Sequence, residues 1–300
     1  MKDKIFYIKI TLTIVLIAYL IHSIGLSKIY QTISTGNASY FFIASLFIPI
    51  FVLIKTFKWH LMARYAGAQE NFFTSLKAML IGLGFSIFTP ARAGEILRVK
   101  YYNSVDKIML GGLVVVDRLI DLITILFLCI YFLSGQFGVL PLILILFINS
   151  ILLLLLLQLK YVVYIYKLIP VKYRSDKIYK FFEKLAACSG ALSPINIIIF
   201  SGISFFNWLI ITLQFYFLIN MYHSSKFEVA LASLPVIQLT NLVPITIAGL
   251  GVRENLSVLV MKTYDIPNEV AVLGAFSLYM TDVLIPGIIG LILFVSKRNG

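Results

Sequence analysis

Residues 89–98, TPARAGEILR, interrupt an apolar run that begins near residue 72 and would otherwise read as a membrane segment. Pro90 and Gly94 break helical continuity, and Arg92, Glu95 and Arg98 follow at three-residue steps that share roughly one face. Irregular backbone and charge persist at membrane depth only where they line a cavity or are buried in protein. A second stretch has the same character. The apolar run 229–248 is broken by Pro235, Pro244, Gly249 and Gly251, and 244-PITIAGLGVRE-254 then delivers Arg253 and Glu254. Two such breaks predict two discontinuous helical hairpins that face one polar site.

The composition agrees with a membrane setting. Of 300 residues, 60% are apolar and 13% charged, far from the soluble average, and no polar stretch is long enough to fold as a separate soluble domain. The net charge of +12 does not argue for nucleic acid, because Lys and Arg gather at the ends of apolar runs, where they set topology and meet anionic lipid. Cys129 and Cys188 lie far apart and form no disulfide or metal framework, and His22, His60 and His223 have no metal-ligand spacing. No metal and no cofactor is expected. The N-terminus, MKDKIFYIKI, leads into an apolar stretch without a small-residue cleavage site and reads as a retained first span.

Runs long enough to cross a bilayer lie near 5–25, 39–57, 108–133, 139–158, 195–219 and 270–295. If 72–88 and 229–248 also crossed fully, the most basic loop, 160–190, would fall outside, against the positive-inside bias. If both are re-entrant, the N-terminus, 55–107, 160–190 and the C-terminus are all cytoplasmic. The fold expected is therefore all-α and polytopic, with six full transmembrane helices, two re-entrant helical hairpins and both termini inside. Residues 1–133 and 134–300 then share one order of elements entered from opposite sides, an inverted-topology repeat. Within the basic segment 160–194, residues 173–190 have helical spacing of apolar and Lys residues. This reads as an amphipathic helix on the inner membrane face or, equally, as a solvated connector.

Several charged positions could carry function. Thr89-Pro90 reads as a helix start, whose N-terminal dipole favours an anion, and Arg92 adds bidentate donors suited to phosphate. The plainer alternative pairs Arg92 with Glu95 and lets Arg98 snorkel to lipid phosphates. In 117-DRLID-121, Asp117 sits about nine residues into its span, or ~14 Å, near the midplane. Asp117 and Asp121 share a face, and Arg118 can reach Asp121. Three such charges need partners or water, so they form either a buried structural cluster or a substrate site. GLGVRE fails as a dinucleotide fingerprint, lacking its third glycine and a preceding strand, which leaves Glu254 as a cavity-lining acid. Asp282 stands isolated near the middle of the last span. Gln238 and Asn241 could serve the same cavity or merely join helices. Trp59 and Trp208 suit packing or interface belts and receive no site.

At these residues the chain resembles the flippase-like family, also named for the transmembrane region of lysylphosphatidylglycerol synthase. The resemblance rests on 90-PARAGEILR-98, 117-DRLID-121 and 244-PITIAGLGVRE-254, in that order, and extends over nearly the whole chain. It implies lipid translocation, known best for aminoacylated phosphatidylglycerol in the multiple peptide resistance factors, while other relatives are linked to polyprenyl-linked sugars or hopanoids. Two departures stand out. Ala248-Gly249 replaces a frequent Gly-Gly before the second turn. The sequence also ends at Gly300, where larger relatives carry a soluble aminoacyl-transferase domain, which argues against lipid aminoacylation and leaves the substrate open.

The leading expectation is a lipid translocase of a prokaryotic plasma membrane that takes an anionic phospholipid or a polyprenyl-linked lipid. Arg92, Arg118 and Arg253 would contact phosphate. Glu95, Asp117, Glu254 and Asp282 would bind a cationic headgroup, pair with the arginines, or carry a coupling proton. Two other classes stay open: an intramembrane transferase or phosphatase acting on a polyprenyl lipid, and a non-transporting scaffold for a membrane glycosyltransferase.

Overall fold

The computed structural model describes residues 2–136, 138–157, 193–242, 246 and 249–296, and every regular element within them is helical. In chain order these are α1 (Lys2–Ile24), α2 (Leu26–Thr35), α3 (Ala38–Tyr65), α4 (Phe72–Ser86), a 3-10 helix (Pro90–Tyr101), α5 (Lys107–Gln136) and α6 (Val139–Leu157). There follow α7 (Pro194–Asn220), α8 (Phe227–Gln238), a 3-10 turn (Leu239–Leu242), α9 (Val252–Met261), α10 (Asn268–Tyr279), a π-helical turn (Met280–Leu284) and α11 (Ile285–Ser296). As far as they are described, all six long apolar runs of the sequence are helical, the first ending at Ile24. Among the described residues, three helices are long and apolar enough to cross a membrane: Ala38–Tyr65, Pro194–Asn220 and Asn268–Ser296. A fourth span results if Thr11–Ile24 and Leu26–Thr35, bent by 79° where Gly25 takes a φ of 90°, count as one.

Local sequence explains where these helices begin. Asn37 caps α3 by accepting from the Ser39 N–H at 3.0 Å, and Asn71 caps α4 through the Thr74 N–H at 2.9 Å. Ser193 accepts from the Asn196 N–H at 3.3 Å ahead of Pro194, whose fixed φ suits the first position of α7. The π turn has a cause as well. Pro286 lacks the N–H that would bond the Asp282 carbonyl, and the Ile285 N–H reaches back to the Met280 carbonyl instead.

Two boundaries differ from the sequence reading. Residues 26–38, which fall between the first two expected spans, are helical as far as Thr35, because Leu26, Ile29, Tyr30 and Ile33 recur at helical spacing in a run too short to register as a span. The second span was expected to end at 57, with 55–107 cytoplasmic. Instead α3 continues to Tyr65, so Lys55 and Lys58 sit within the helix, and Lys58 is only 2% exposed. The basic segment 160–194 lies outside the described residues as far as 192, as do Pro244 and the C-terminal residues Lys297 and Arg298.

Both expected breaks interrupt helical pairs. At the first, α4 and the 3-10 helix lie backbone against backbone. A Cβ at Gly94 would stand 2.4 Å from the Phe85 carbonyl carbon, and one at Gly82 would be 3.2 Å from the Glu95 Cα. At the second, α8 gives way to the 3-10 turn, and Gly249 and Gly251 adopt φ of 76° and 84° before α9 starts. The first arm of each pair packs on a helix from the other half of the chain, α4 on α11 and α8 on α5, while α3 packs on α7. The α4–α11 contact is especially close. A Cβ on Gly84 would lie 2.8 Å from the Gly287 carbonyl oxygen, and one on Gly290 would lie 1.9 Å from that of Leu80. Phe51, Met62, Met79, Leu110 and Phe215 lie in the single large core that joins these helices.

Candidate functional site

The 3-10 winding of Pro90–Tyr101 stacks residues three apart directly above one another, which brings Glu95 and Arg98 onto one ridge. Thr89 precedes it without the expected N-cap bond; its hydroxyl accepts from the Gly94 N–H at 2.7 Å and so ties down the tight glycine. Arg98 is fully buried. Its guanidinium lies 3.7 Å above the Trp59 ring centroid and donates to Asp117 at 2.7 Å, with Glu95 at 4.0 Å. This overturns the alternative in which Arg98 snorkels to lipid. A flat, weakly hydrated cation is better served here by an aromatic face and a carboxylate.

Lys58 is the centre of the network. Its ammonium makes an ion-pair contact with Asp117 at 2.7 Å and donates to Asp121 at 2.5 Å and to the Ser204 hydroxyl at 2.7 Å. Ser204 in turn donates to Asp121 at 2.8 Å. Helical spacing puts Asp117 and Asp121 on one face of α5, and α3 and α7 supply the rest. Arg118, one residue round the helix, reaches Glu95 instead, and Lys55 adds a contact to Glu95 at 3.4 Å. Four cations and three carboxylates thus pair with one another, one positive charge in excess, in a buried setting where a lone charge would be costly.

This network forms one wall of a cavity of about 380 Å³. Lys55, Glu95, Arg118 and Asp121 present charge to it, and Phe51, Val114 and Ile125 supply apolar surface. Neutral polar groups also line it: Asn207 and Trp208 from α7, Gln238 from α8 and Asn241 from the 3-10 turn. Asp282, on the π turn, completes the lining. The cavity is therefore bounded by residues from both breaks, and the 3-10 segments of the two breaks touch.

The expected site residues fall into three groups. Glu95, Arg118, Asp121 and Asp282 line the cavity, and Arg98 and Asp117 brace its charged wall from behind. Asp282, isolated in the sequence, is thus brought to the others. Arg253 and Glu254 form a separate buried pair, 3.5 Å apart, with the Arg253 guanidinium 4.8 Å from the Tyr279 ring centroid. Glu254 accepts the Gly251 N–H at 2.6 Å, closing the start of α9 as the N3 acid of a capping box does. The Arg92 side chain lies outside the described residues. Lys55, Lys58, Ser204, Asn207 and Trp208 were not anticipated. The available signal was an imbalance: two acids on one face of α5 with Arg118 as the only nearby cation demanded another. Among the described residues, no group of three or more His, Cys, Asp or Glu could hold a metal ion.

Fold and site together define an all-helical membrane protein with a mixed-charge cavity inside its helical core. The chain belongs to the lysylphosphatidylglycerol synthase transmembrane-region family, whose model matches residues 6–290. It is similar to the UPF0104 membrane protein MJ1595 of Methanocaldococcus jannaschii, with 29% identity over 121 residues, covering 39% of this chain and 36% of that protein. The match thus spans about a third of the archaeal protein's length. No solved structure matches.

Proposed function

We propose that the chain is a lipid translocase of a prokaryotic plasma membrane, in which a polar headgroup passes through the cavity while the acyl or prenyl tails remain in lipid. The observation that carries this reading is the meeting of both helical breaks at one charged cavity in a chain that is otherwise apolar. Maintaining paired charge there serves no packing purpose, because a well-packed apolar core of similar volume is generally as stable or more so. The hairpins are read as re-entrant, with six full spans around them and both termini cytoplasmic. The exchange of first arms, α4 onto α11 and α8 onto α5, supports an inverted repeat of 1–133 and 134–300, since each contact is the other's counterpart under such a symmetry. Arg118 and Lys55 would meet the lipid phosphate, the role that the sequence reading also gives Arg92. Glu95, Asp121 and Asp282 would hold these cations in place and exclude an unscreened second anion.

The test is reconstitution of the purified protein in vesicles carrying tail-labelled lipids, with both sidedness and chemical identity of the lipid followed. Movement of intact lipid across the bilayer, reduced by Glu95→Gln, supports the reading. Chemical conversion without movement would replace it with an intramembrane enzyme, and neither would point to a scaffold. Topology has its own check. In a Cys-free background, cysteines at 104 and 176 should resist an impermeant thiol reagent in intact cells and one at 136 should react. Labelling at 176 would overturn the re-entrant arrangement.

A further inference from the structure

We infer that the lipid enters from the side, through a slot between α3 and α7, with a hydrocarbon chain seated in the apolar groove outside that slot. The inference deepens the translocase reading and rests on it. Helices α3 and α7 pack together, and a groove of about 670 Å³ runs between them on the exposed side. Leu53, Ile54 and Phe57 line it from α3, and Ile199, Ile203 and Phe206 from α7; every residue that borders it is apolar. Ile54 and Ile203 also border a narrow slot beneath the groove, whose inner side is made by Lys55, Lys58, Asp121, Ser204 and Asn207. Lys55, Asp121 and Asn207 in turn line the charged cavity. Groove, slot and cavity therefore share their walls in series, with two isoleucine side chains between the hydrocarbon side and the ion-pair network. The slot leaves no room for a water molecule, so the path is shut in this conformation.

Two features identify the occupant. The first is charge. The network behind the slot carries one positive charge in excess, and the Arg118 side chain keeps 33% of its surface exposed. An anionic head answers that charge, while the groove accepts only hydrocarbon. A lipid with a phosphate head and a long chain matches both, with the linkage between them in the slot. A helix of another protein would cover the groove and leave the charge behind it unanswered. The second feature is Gly202. It lies exposed inside α7, where glycine costs a helix about 1 kcal/mol relative to alanine. A Cβ there would meet nothing within 4 Å, so no neighbouring helix requires the small residue. Its missing side chain instead leaves the groove open. Lipid tails are as apolar as the groove, so a chain gains little affinity by lying in it. What the groove supplies is position: it holds the head at the mouth of the slot.

The experiment uses the full chain in phosphatidylcholine vesicles with traces of tail-labelled phosphatidylglycerol or tail-labelled polyprenyl phosphate, scored by reduction of the label from outside. The two probes distinguish an acyl from a prenyl chain. Gly202→Trp fills the groove and should slow the lipid that moves by roughly tenfold, without lowering the denaturation midpoint in detergent. Ile203→Ala widens the slot and should speed movement roughly threefold, a gain that no folding defect produces. Leu146→Trp adds the same bulk at an exposed position of α6 that borders neither groove, slot nor cavity, and should match the wild type. Wild-type rates in Gly202→Trp would mean that only bulk lipid covers the groove; they would overturn the slot and leave the translocase reading standing. Equal slowing by all three variants would do the same. Conversion of a dimer to a monomer by Gly202→Trp would assign the groove to a second copy of this chain and overturn the tail assignment. No movement of either probe by the wild type would overturn the translocase reading and the slot with it.

Discussion

The two broken helical pairs share a design and use charge in opposite ways. At the first break, the ionised groups reach across the molecule: Glu95 and Arg98 meet Lys55, Asp117 and Arg118 from two other helices, and Lys58 and Ser204 join through Asp117 and Asp121. At the second, Arg253 and Glu254 are sequence neighbours, and Glu254 spends one oxygen on the start of its own helix. The second break meets the cavity with neutral groups, Gln238 and Asn241. A common architecture therefore does not dictate a common role. The first break serves as the electrostatic wall, whereas the second supplies shape and hydrogen bonding.

Removing the central cation is the sharpest way to break this contrast. Lys58→Met leaves Asp117 and Asp121 facing each other in the core and should cost about 3–5 kcal/mol. Arg253→Met leaves Glu254 still bonded to Gly251 and should cost about 1–3 kcal/mol. Denaturation midpoints in detergent measure both, and equal losses would remove the claimed asymmetry. The double variant Lys58→Met, Asp121→Asn should recover part of the first loss by removing one of the stranded charges.

Backbone proximity gives the next largest difference. Gly94→Ala drives a Cβ into the Phe85 backbone and should cost about 3 kcal/mol or more. Gly249→Ala meets nothing nearer than 4.0 Å, so only its positive φ opposes it, at about 1–2 kcal/mol. If the two substitutions prove equally damaging, the first hairpin is not packed as tightly as its geometry requires.

Function should separate the breaks with less effect on stability. Asp121→Asn leaves Lys58 paired with Asp117, so the protein should still fold while lipid movement falls roughly tenfold, the consequence of weakening one charged hydrogen bond at the cavity. Glu254→Gln should slow movement less and lower the thermal midpoint more. The reverse order would place the substrate path at the second break.

The smallest expected effect lies in the connection between α3 and α4. Burial disfavours the Glu70 carboxylate slightly, but the Ser104 hydroxyl and the backbone N–H groups of Asn103 and Ser104 hold its carboxyl down at about 2. A depressed folded-state value stabilises the protein above the ordinary carboxylate range of about 4.5, and that contribution fades as pH falls toward 2. Glu70→Gln should therefore lower the thermal midpoint at pH 7 and converge with the wild type near pH 2. A difference that is constant with pH would show that the carboxylate is not the cause.

The sequence made the helices legible, because apolar run length and Pro–Gly breaks are local signals. It also located both breaks, Asp117, Asp121 and Glu95. Lys55 and Lys58 were hidden because cations at the end of an apolar run ordinarily mark topology, and what buries Lys58 is a pair of acids about 60 residues further along the chain. The snorkelling alternative for Arg98 failed for a related reason: its partner Trp59 is a packing residue by every local measure. Asp282 looked solitary because its neighbours in the cavity come from α3, α5, α7 and α8. Contacts of that range have no signature in one sequence.

The glycine contact between α4 and α11 bears on how the molecule is assembled. The Lys58–Asp117–Asp121 core can form as soon as the first 121 residues have entered the bilayer. The arm beside it, α4, already meets α3 and the 3-10 helix, but lacks its close glycine contact until Gly287 and Gly290 emerge from the ribosome. The first break must therefore wait, less firmly held, while residues 122–287 are being made, and α11 acts as its latch. Nascent chains arrested before residue 284 should leave 80–94 open to protease or to membrane-embedded chaperones, and those released after 291 should not.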